Sequence, residues 1–274
     1  MKKPMVGYQI YSARDEASQD LLGVLKRVAA LGYDGVEFGG FYGHSAAAVK
    51  DMLNETGLTG ISSHAALPDT TAGILETVAY HAEIGCKYMA IPFLDEAHRP
   101  GSAGFAKTIA SIYQYARVAK EAGIQMLYHN HDFEFITVCG LYGLDFIYDA
   151  IPECLLKTEI DVCWVNYAGV QPVEYIRKYA GRCPIVHLKD YVGSKDGGQP
   201  YALINADGSD DGKNNSVAFE FRPVGHGIQN MPPIVEAAIE SGAEWLIVEQ
   251  DMSVGRAPLE AAEMSRAYLK SIGV

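Results

Sequence analysis

The hydrophobic and polar positions of the chain repeat one unit along most of its length. In each copy, an amphipathic segment with an apolar residue every three or four positions ends at a glycine, and a short apolar run follows. Copies of this unit lie at 28–38, 53–64, 81–92, 119–130 and 239–251. Glycine favours a helix C-terminus, and β-branched and aromatic runs are typical of strands buried on both faces. The unit therefore predicts a helix followed by a buried strand.

Three further apolar runs, at 5–10, 155–162 and 184–190, complete a predicted set of eight strands separated by helical patterns. Strict alternation of strand and helix within 274 residues predicts an α/β fold, a (β/α)8 TIM barrel, as one domain over 1–274. A doubly wound sheet is the alternative. That fold normally carries a glycine-rich phosphate-binding turn after its first strand, and the segment YQIYSARDE has no such turn.

One long polar segment, residues 191–227, interrupts the alternation after the seventh strand and is rich in Gly, Asp and Asn. Connections of this length in compact domains are usually functional or disordered. Because the segment follows a strand at the end of the barrel where active sites lie, it is predicted to be an active-site lid.

Charge and composition narrow the classes of partner. The formal net charge is −12, which disfavours binding to nucleic acid or to an anionic membrane. The sequence shows neither a transmembrane run nor a signal peptide, so a cytoplasmic location is expected. Five scattered cysteines without a CxxC pair argue against a disulfide framework and against a structural zinc ribbon.

Metal-binding and proton-carrying side chains concentrate at the predicted C-terminal strand ends, where a parallel barrel has its active site. Five of the eight histidines fall there or in the predicted lid: His64, His129, His131, His187 and His226. Carboxylates accompany them: Glu37, Glu134, Glu159, Asp161 and Glu249. Clustered carboxylates at a barrel mouth are unfavourable unless a cation or hydrogen bonds compensate. A mixed nitrogen and oxygen set suits a divalent ion such as Mn²⁺, Mg²⁺, Co²⁺ or Zn²⁺.

Five short motifs, in order along the chain, resemble the strand ends of the sugar phosphate isomerase/epimerase family: YHNHDFEF, EIDVCW, VHLKD, VGHGI and LIVEQD. This family belongs to the xylose-isomerase-like TIM barrel superfamily, which also holds inosose dehydratases, ketose 3-epimerases and endonuclease IV. The resemblance covers essentially the whole chain. It implies a barrel enzyme that acts on a small sugar or cyclitol, and it leaves a homo-oligomer open.

The resemblance further implies one divalent metal ion, with Mn²⁺ expected first. Asp161, His187 and Glu249 match three of the family's four ligand positions. The fourth is open, because many relatives carry a glutamate where this chain has His129. Glu134, five residues further on, is expected to turn back and bind the ion, with His129 as an acid/base group or the alternative ligand.

The chemistry implied for such a site is abstraction of a proton beside a carbonyl, with an enediolate stabilised by the ion. His129, His131 and Glu249 are the expected proton carriers, and Lys189 is expected to polarise an oxygen. The main expectation is an isomerase or epimerase acting on a sugar or keto-sugar. A lyase acting on an inosose or 3-keto-glycoside and a non-catalytic sugar-binding barrel are alternatives. The acidic charge disfavours a DNA endonuclease.

Further side chains near these strand ends are candidates for substrate contacts. Trp164 is expected to form an apolar wall for a sugar ring, and His64 to touch substrate. His226 stands where relatives usually carry glutamate. An ion pair with Glu159 is the structural alternative for Lys189. Three basic residues could meet a substrate phosphate: Arg14, Lys195 and Arg222.

Overall fold

The computed structural model describes residues 3–193 and 219–274 and shows eight parallel strands wound into a barrel. In chain order these are β1 (Met5–Gln9), β2 (Gly35–Phe38), β3 (Thr59–Ser63), β4 (Tyr88–Ile91), β5 (Gln125–His129), β6 (Leu156–Asp161), β7 (Ile185–Leu188) and β8 (Trp245–Val248). Hydrogen bonds join them in the order β3–β2–β1–β8–β7–β6–β5–β4. A parallel bridge between His64 and Ala90 brings β3 and β4 together and nearly closes the barrel. The predicted (β/α)8 fold is confirmed, and the doubly wound sheet is excluded.

Ten α-helices lie within the described residues: α1 (Arg14–Gln19), α2 (Leu21–Leu31), α3 (Ala46–Thr56), α4 (Thr71–Ile84), α5 (Phe105–Glu121), α6 (Gly143–Ala150), α7 (Val162–Tyr167), α8 (Pro172–Lys178), α9 (Met231–Glu240) and α10 (Pro258–Ser271). Several end at the glycine that the repeat predicted. Gly32 and Gly57, for example, follow α2 and α3 with left-handed φ angles of 86° and 71°. Side chains strain this conformation, so glycine ends the helix and turns the chain toward the next strand.

The barrel interior is filled with apolar side chains toward the N-terminal ends of the strands. We call this set the apolar interior layer: Ile61, Tyr88, Ala90, Leu127, Ile185, Trp245 and Ile247. A larger apolar cluster lies between the strands and the surrounding helices. The barrel interior is therefore a packed core rather than a pore. Barrels of this type have their active sites at the mouth formed by the C-terminal strand ends.

The excursion after β7 begins and ends as a two-stranded antiparallel ribbon, Asp190–Val192 with Glu220–Arg222. Most of the predicted lid, including Lys195, lies outside the described residues. All five cysteines are free thiols. Among the helices that the structure describes, none has both the length and the apolar character needed to cross a bilayer.

Candidate metal centre and active site

Four metal-binding side chains come from four adjacent strands. His129 and Asp161 are the last residues of β5 and β6, His187 lies on β7, and Glu249 directly follows β8. Asp161 is paired in register with His187, which is paired in turn with Ile247 of β8. All four side chains are buried, and one ligand atom from each lies within 4.8 Å of the others. The barrel thus gathers a group that could hold a metal ion at its mouth.

The two carboxylate oxygens of Asp161 have different roles: one caps a helix, and the other faces the four-residue group. Its Oδ1 accepts the backbone N–H groups of Cys163 (2.8 Å) and Trp164 (3.1 Å) at the start of α7, so the residue caps that helix. Its Oδ2 accepts no aligned hydrogen bond from any residue that the structure describes. It lies 3.8 Å from Nε2 of His129 and 3.2 Å from the ammonium of Lys189. A buried carboxylate oxygen in this state fits a metal ligand, and two imidazoles with two carboxylates suit a divalent ion.

Lys189 lies beside this group, fully buried, with its ammonium among three carboxylates. Its Nζ is 3.2 Å from Oδ2 of Asp161, 2.8 Å from Oε2 of Glu249 and 3.0 Å from Oδ2 of Asp251. Burial alone would lower the pKa of Lys189, but Asp161, Asp251 and Glu249 outweigh it and raise the pKa well above its ordinary value. Lys189 is therefore a fixed positive charge that offsets part of the carboxylate repulsion.

The expected ion pair between Lys189 and Glu159 is wrong. Glu159 is paired in register with Ile185, four residues before Lys189, and lies deeper in the barrel. Strands rise about 3.3 Å per residue, so the ammonium is level with the mouth while Glu159 lies well below it. Asp161, two residues beyond Glu159 on the same face of β6, is the carboxylate that Lys189 reaches.

Below the four-residue group lies a second polar set, which we call the lower layer: Glu37, Glu159 and His64. Nε2 of His64 is 2.9 Å from Oε1 of Glu159 and 3.2 Å from Oε2 of Glu37. Burial alone would lower the pKa of His64, but the two carboxylates raise it to about 10. Burial alone would raise the pKa of Glu37, but His64 and His187 hold it well below its ordinary value. His64, expected at the substrate, is thus engaged beneath the mouth.

Glu134 was expected as the fourth ligand, with His129 as the alternative, but the structure groups His129 and not Glu134 with Asp161, His187 and Glu249. Glu134 lies in a 3-10 turn (Phe133–Phe135), where its carboxylate accepts the Tyr128 hydroxyl (2.7 Å) and the backbone N–H of His131 (2.8 Å). Tyr128 precedes His129, and successive strand side chains point to opposite faces. Glu134 is therefore held on the outer side of β5. Burial raises its pKa to about 8.

His131 lies next to the group within an aromatic enclosure. Its ring stacks on Phe133 at 5.4 Å between centroids, meets Phe93 edge-on at 5.1 Å, and lies 5.2 Å from the ring of Trp164. Burial, reinforced by the charge of Lys189, lowers the pKa of His131 well below its ordinary value. Its imidazole is therefore neutral at pH 7 and keeps a nitrogen lone pair that can accept a proton.

His226, expected among the substrate contacts, is not brought to this group. It is exposed, and its ring lies 6.4 Å from that of Tyr268 on α10. The reason is local. The carboxylate of Asp190 accepts the backbone N–H groups of Gly225 (3.1 Å), Gly227 (2.9 Å) and Gln229 (3.2 Å), which fixes the turn that carries His226.

The two described basic candidates for a substrate phosphate are engaged within the chain. Arg14 donates to the backbone oxygens of Tyr11 (3.1 Å) and Asp251 (2.6 Å), and Arg222 is paired with Glu220 at 3.1 Å. Both arginines therefore have internal structural roles.

Two polar residues of the site were not singled out from the sequence. Gln9 donates its amide to Oε2 of Glu37 at 2.7 Å, and the hydroxyl of Ser62 donates to Oε1 of Glu37. Both lie within strands and are fully buried. Their positions at or next to the C-terminal end of a barrel strand are the signal that could have found them.

The chain matches a known family, and the resemblance drawn from the five motifs is confirmed. A sequence model of the xylose isomerase-like TIM barrel family matches residues 25–272, so the chain belongs to that family. A curated inosose dehydratase of Geobacillus kaustophilus (strain HTA426) is 24% identical over an alignment that covers 93% of this chain and 87% of that protein.

Two solved structures share the fold. A sugar phosphate isomerase/epimerase from Parabacteroides distasonis ATCC 8503 superposes with a TM-score of 0.76 at 24% identity, covering 98% of this chain and 95% of its own. The probable 3-DHS dehydratase AsbF of Bacillus anthracis superposes with a TM-score of 0.73 at 12% identity, covering 98% and 99%. At these identities the structural likeness shows the fold.

Proposed function

We propose that this protein is a divalent-metal-dependent enzyme that removes a proton beside the carbonyl of a keto-sugar or keto-cyclitol. The observation that carries the proposal is the convergence of His129, Asp161, His187 and Glu249, whose ligand atoms lie within 4.8 Å of one another at the barrel mouth. A neutral, buried His131 beside them supplies a proton acceptor. Metal ligands next to such an acceptor are what enolisation of a carbonyl compound requires.

The ion is proposed to bind Nε2 of His129, Oδ2 of Asp161, Nδ1 of His187 and Oε2 of Glu249. Two imidazoles and two carboxylates favour Mn²⁺, Co²⁺ or Zn²⁺ over Mg²⁺, which prefers oxygen ligands alone. When bound, the ion supplies Lewis-acid polarisation of substrate oxygens. The group lies at the mouth, where the C-terminal ends of the strands face the substrate.

Other side chains are proposed to transfer the proton, to balance charge and to exclude water. His131 takes the proton from the carbon beside the carbonyl, because its imidazole is neutral at pH 7. Burial alone would raise the pKa of Glu249, but Lys189 and His187 hold it well below its ordinary value, so its carboxylate stays ionised. Lys189 keeps the neighbouring carboxylates in place. Trp164, Phe93 and Phe133 surround His131 and limit the access of water.

Return of the proton decides the reaction class. Isomerisation follows when His131 returns the proton to the neighbouring carbon, and epimerisation follows when a proton is returned to the other face of the same carbon. This isomerase/epimerase class is the one that we propose first. Dehydration follows when the proton goes instead to a hydroxyl on the neighbouring carbon, which leaves as water. The similarity to an inosose dehydratase over 93% of the chain supports this second candidate.

Proton exchange in D₂O tests the shared first step. The Mn²⁺-loaded protein is incubated with ketohexoses, inososes and 3-keto-glycosides, and proton NMR follows the signal beside each carbonyl. We expect that signal to disappear for at least one substrate, and only when the ion is present. Exchange with none of them, or exchange that persists after chelation, would contradict the proposal.

The products separate the candidate functions in the same samples. A new stereoisomer or positional isomer identifies an epimerase or isomerase, whereas an ultraviolet band from a conjugated carbonyl identifies a dehydratase. Stoichiometric sugar binding with neither exchange nor product would instead identify a non-catalytic barrel.

A further inference from the structure

The rings of His129 and His187 lie between two sets of carboxylates, one at the mouth and one in the lower layer. Nε2 of His129 faces Asp161 at 3.8 Å, while its Nδ1 is hydrogen-bonded to Oε1 of Glu159 at 3.2 Å. His187 has the opposite orientation. Its Nδ1 is hydrogen-bonded to Oε2 of Glu249 at 3.0 Å, while its Nε2 faces the lower layer.

Nε2 of His187 is close to both acids of the lower layer, at 2.7 Å from Oε2 of Glu37 and 3.1 Å from Oε1 of Glu159. Neither contact is aligned as a hydrogen bond in the structure. The two oxygens flank the nitrogen, so a proton on Nε2 has a carboxylate acceptor on either side after a small rotation of the ring.

We propose that Glu159, assisted by Glu37, is a positioning residue that holds the ring N–H groups of both histidines and so fixes them in opposite tautomers. His129 then carries its proton on Nδ1 and presents Nε2 to the ion. His187 carries a proton on Nε2, and the Nδ1 proton that it donates to Glu249 in the structure is the one that a bound ion would displace. This inference rests on the metal site of the proposed function and adds the residues that orient its two nitrogen ligands.

The two tautomers follow from the hydrogen-bonding groups of the imidazole ring. A neutral ring has one N–H and one lone pair, and a metal ligand must present the lone pair. The N–H on the other nitrogen must then find an acceptor, because in a fully buried site water cannot supply one. A carboxylate is the strongest such acceptor, and it fixes both the tautomer and the ring orientation.

Polar side chains from several strands hold the two carboxylates of the lower layer in place. His64 lies between them, with Nε2 at 2.9 Å from Glu159 and 3.2 Å from Glu37. Gln9 and Ser62 donate to Glu37 from β1 and β3. Three imidazole nitrogens lie within 3.2 Å of the single oxygen Oε1 of Glu159. Glu159 is therefore the hub of the layer.

A second metal ion in the lower layer is the competing explanation, since ligand atoms of His64, His129, Glu159 and His187 also lie within 4.8 Å of one another. Such an ion would need lone pairs on Nδ1 of His129 and Nε2 of His187. Both rings would then bridge two ions as imidazolates. Gln9 and His64 already donate N–H groups to these carboxylates, which leaves less negative charge in the layer for a second cation.

The tautomers can be measured on the native protein. Wild-type protein with ¹⁵N-labelled histidine is loaded with Zn²⁺, and long-range proton–nitrogen correlation locates each ring proton. We expect the proton on Nδ1 of His129 and on Nε2 of His187. The same tautomer on both rings would overturn the proposal, and so would loss of both ring protons with two Zn²⁺ ions per chain.

Substitution tests the energetic consequence. Glu159→Gln should lower Zn²⁺ affinity about 10–100-fold in competition with a chromophoric chelator. Glu134→Gln is the matched control, since its described partners are Tyr128 and His131, and its affinity should stay within about twofold of wild type. If Glu159→Gln does not fold, Glu37→Gln takes its place, and the tautomer measurement on wild type still decides.

Failure of the proposed metal site and failure of the positioning role of Glu159 give different results. Wild-type protein that binds no stoichiometric Zn²⁺ would refute the proposed metal site and this inference with it. Wild type that binds one ion, with affinity unchanged in Glu159→Gln and in Glu37→Gln, would refute this inference alone.

Discussion

The two ends of the barrel interior differ in chemistry although the same strands form both. One end is lined by apolar side chains and the other by histidines and carboxylates. On β5, Leu127 belongs to the apolar interior layer, and His129, two residues later, belongs to the candidate metal centre. The same step of two leads from Ile247 to Glu249 at β8. Since residues two apart share a face, each of these two strands contributes an apolar side chain below and a polar one above.

This difference is the reason for placing the proposed function at the mouth. Both ends are buried to the same degree, but burial stabilises apolar side chains and penalises charged ones unless they are paired. The apolar layer therefore stabilises the fold without requiring any ligand. The mouth gathers Asp161, Glu249 and Asp251 against the single ammonium of Lys189 within the described residues, and the excess negative charge favours a bound cation.

The largest expected effect comes from removing a charge at the mouth. Asp161→Asn keeps an oxygen to cap α7 but loses the carboxylate, so Mn²⁺ affinity should fall by more than about 100-fold, and turnover with it. Metal analysis after dialysis and the exchange assay measure both. Asp145→Asn is the matched control, because this buried acid binds Tyr175 and Tyr179 away from the mouth. Metal retained by Asp161→Asn as well as by wild type would contradict the assignment.

At the other end, truncation should cost stability and leave the chemistry intact. Ile247→Ala removes a fully buried side chain from the apolar interior layer and should lower the free energy of unfolding by about 2–5 kcal/mol. Urea denaturation measures the loss, and metal content should remain at one ion per folded chain. A loss of metal with little loss of stability would show that the two ends are not separable in this way.

Glu134 provides an intermediate test, because it is a buried acid outside the metal group. Its pKa of about 8 lies above the ordinary 4.5, so the folded state holds a proton that the unfolded state releases. Its contribution is fully present below pH 4.5 and is lost as the pH rises through 8. Wild type should therefore lose on the order of 4 kcal/mol relative to Glu134→Gln between pH 4.5 and 8. Denaturation across this range measures it, and parallel curves would contradict the assignment.

The smallest effect is expected outside the barrel, where water surrounds the charges. Lys26 and Glu55 form an ion pair at 2.7 Å with side chains 54% and 53% exposed. Lys26→Ala should change the free energy of unfolding by less than about 1 kcal/mol. A larger loss of unfolding free energy in urea denaturation would show that exposed charges contribute to stability as much as buried ones do.

The sequence was sufficient for the fold because the pattern repeats and each copy carries its own stop signal. Gly32 and Gly57 end helices where the pattern predicted, and the run at 155–162 is the strand Leu156–Asp161. Asp161, His187 and Glu249 could be named as a group because parallel strands place their C-terminal ends at one rim. The resemblance of their motifs to the family then implied that these three are ligand positions.

The remaining parts of the site depend on three-dimensional detail. Choosing between Glu134 and His129 required knowing that a 3-10 turn holds Glu134 against Tyr128, on the other face of β5. The partner of Lys189 depended on the register of β6 against β7, which spacing along the chain does not give. The position of His226 depends on the hydrogen bonds that the Asp190 carboxylate accepts from the backbone of its turn.

The most direct test of the metal centre is a crystal structure of the Mn²⁺-loaded protein measured where manganese scatters anomalously. A single anomalous peak is expected among His129, Asp161, His187 and Glu249, within coordination distance of all four. No peak at the barrel mouth, or a peak coordinated by Glu134 in place of His129, would contradict the account.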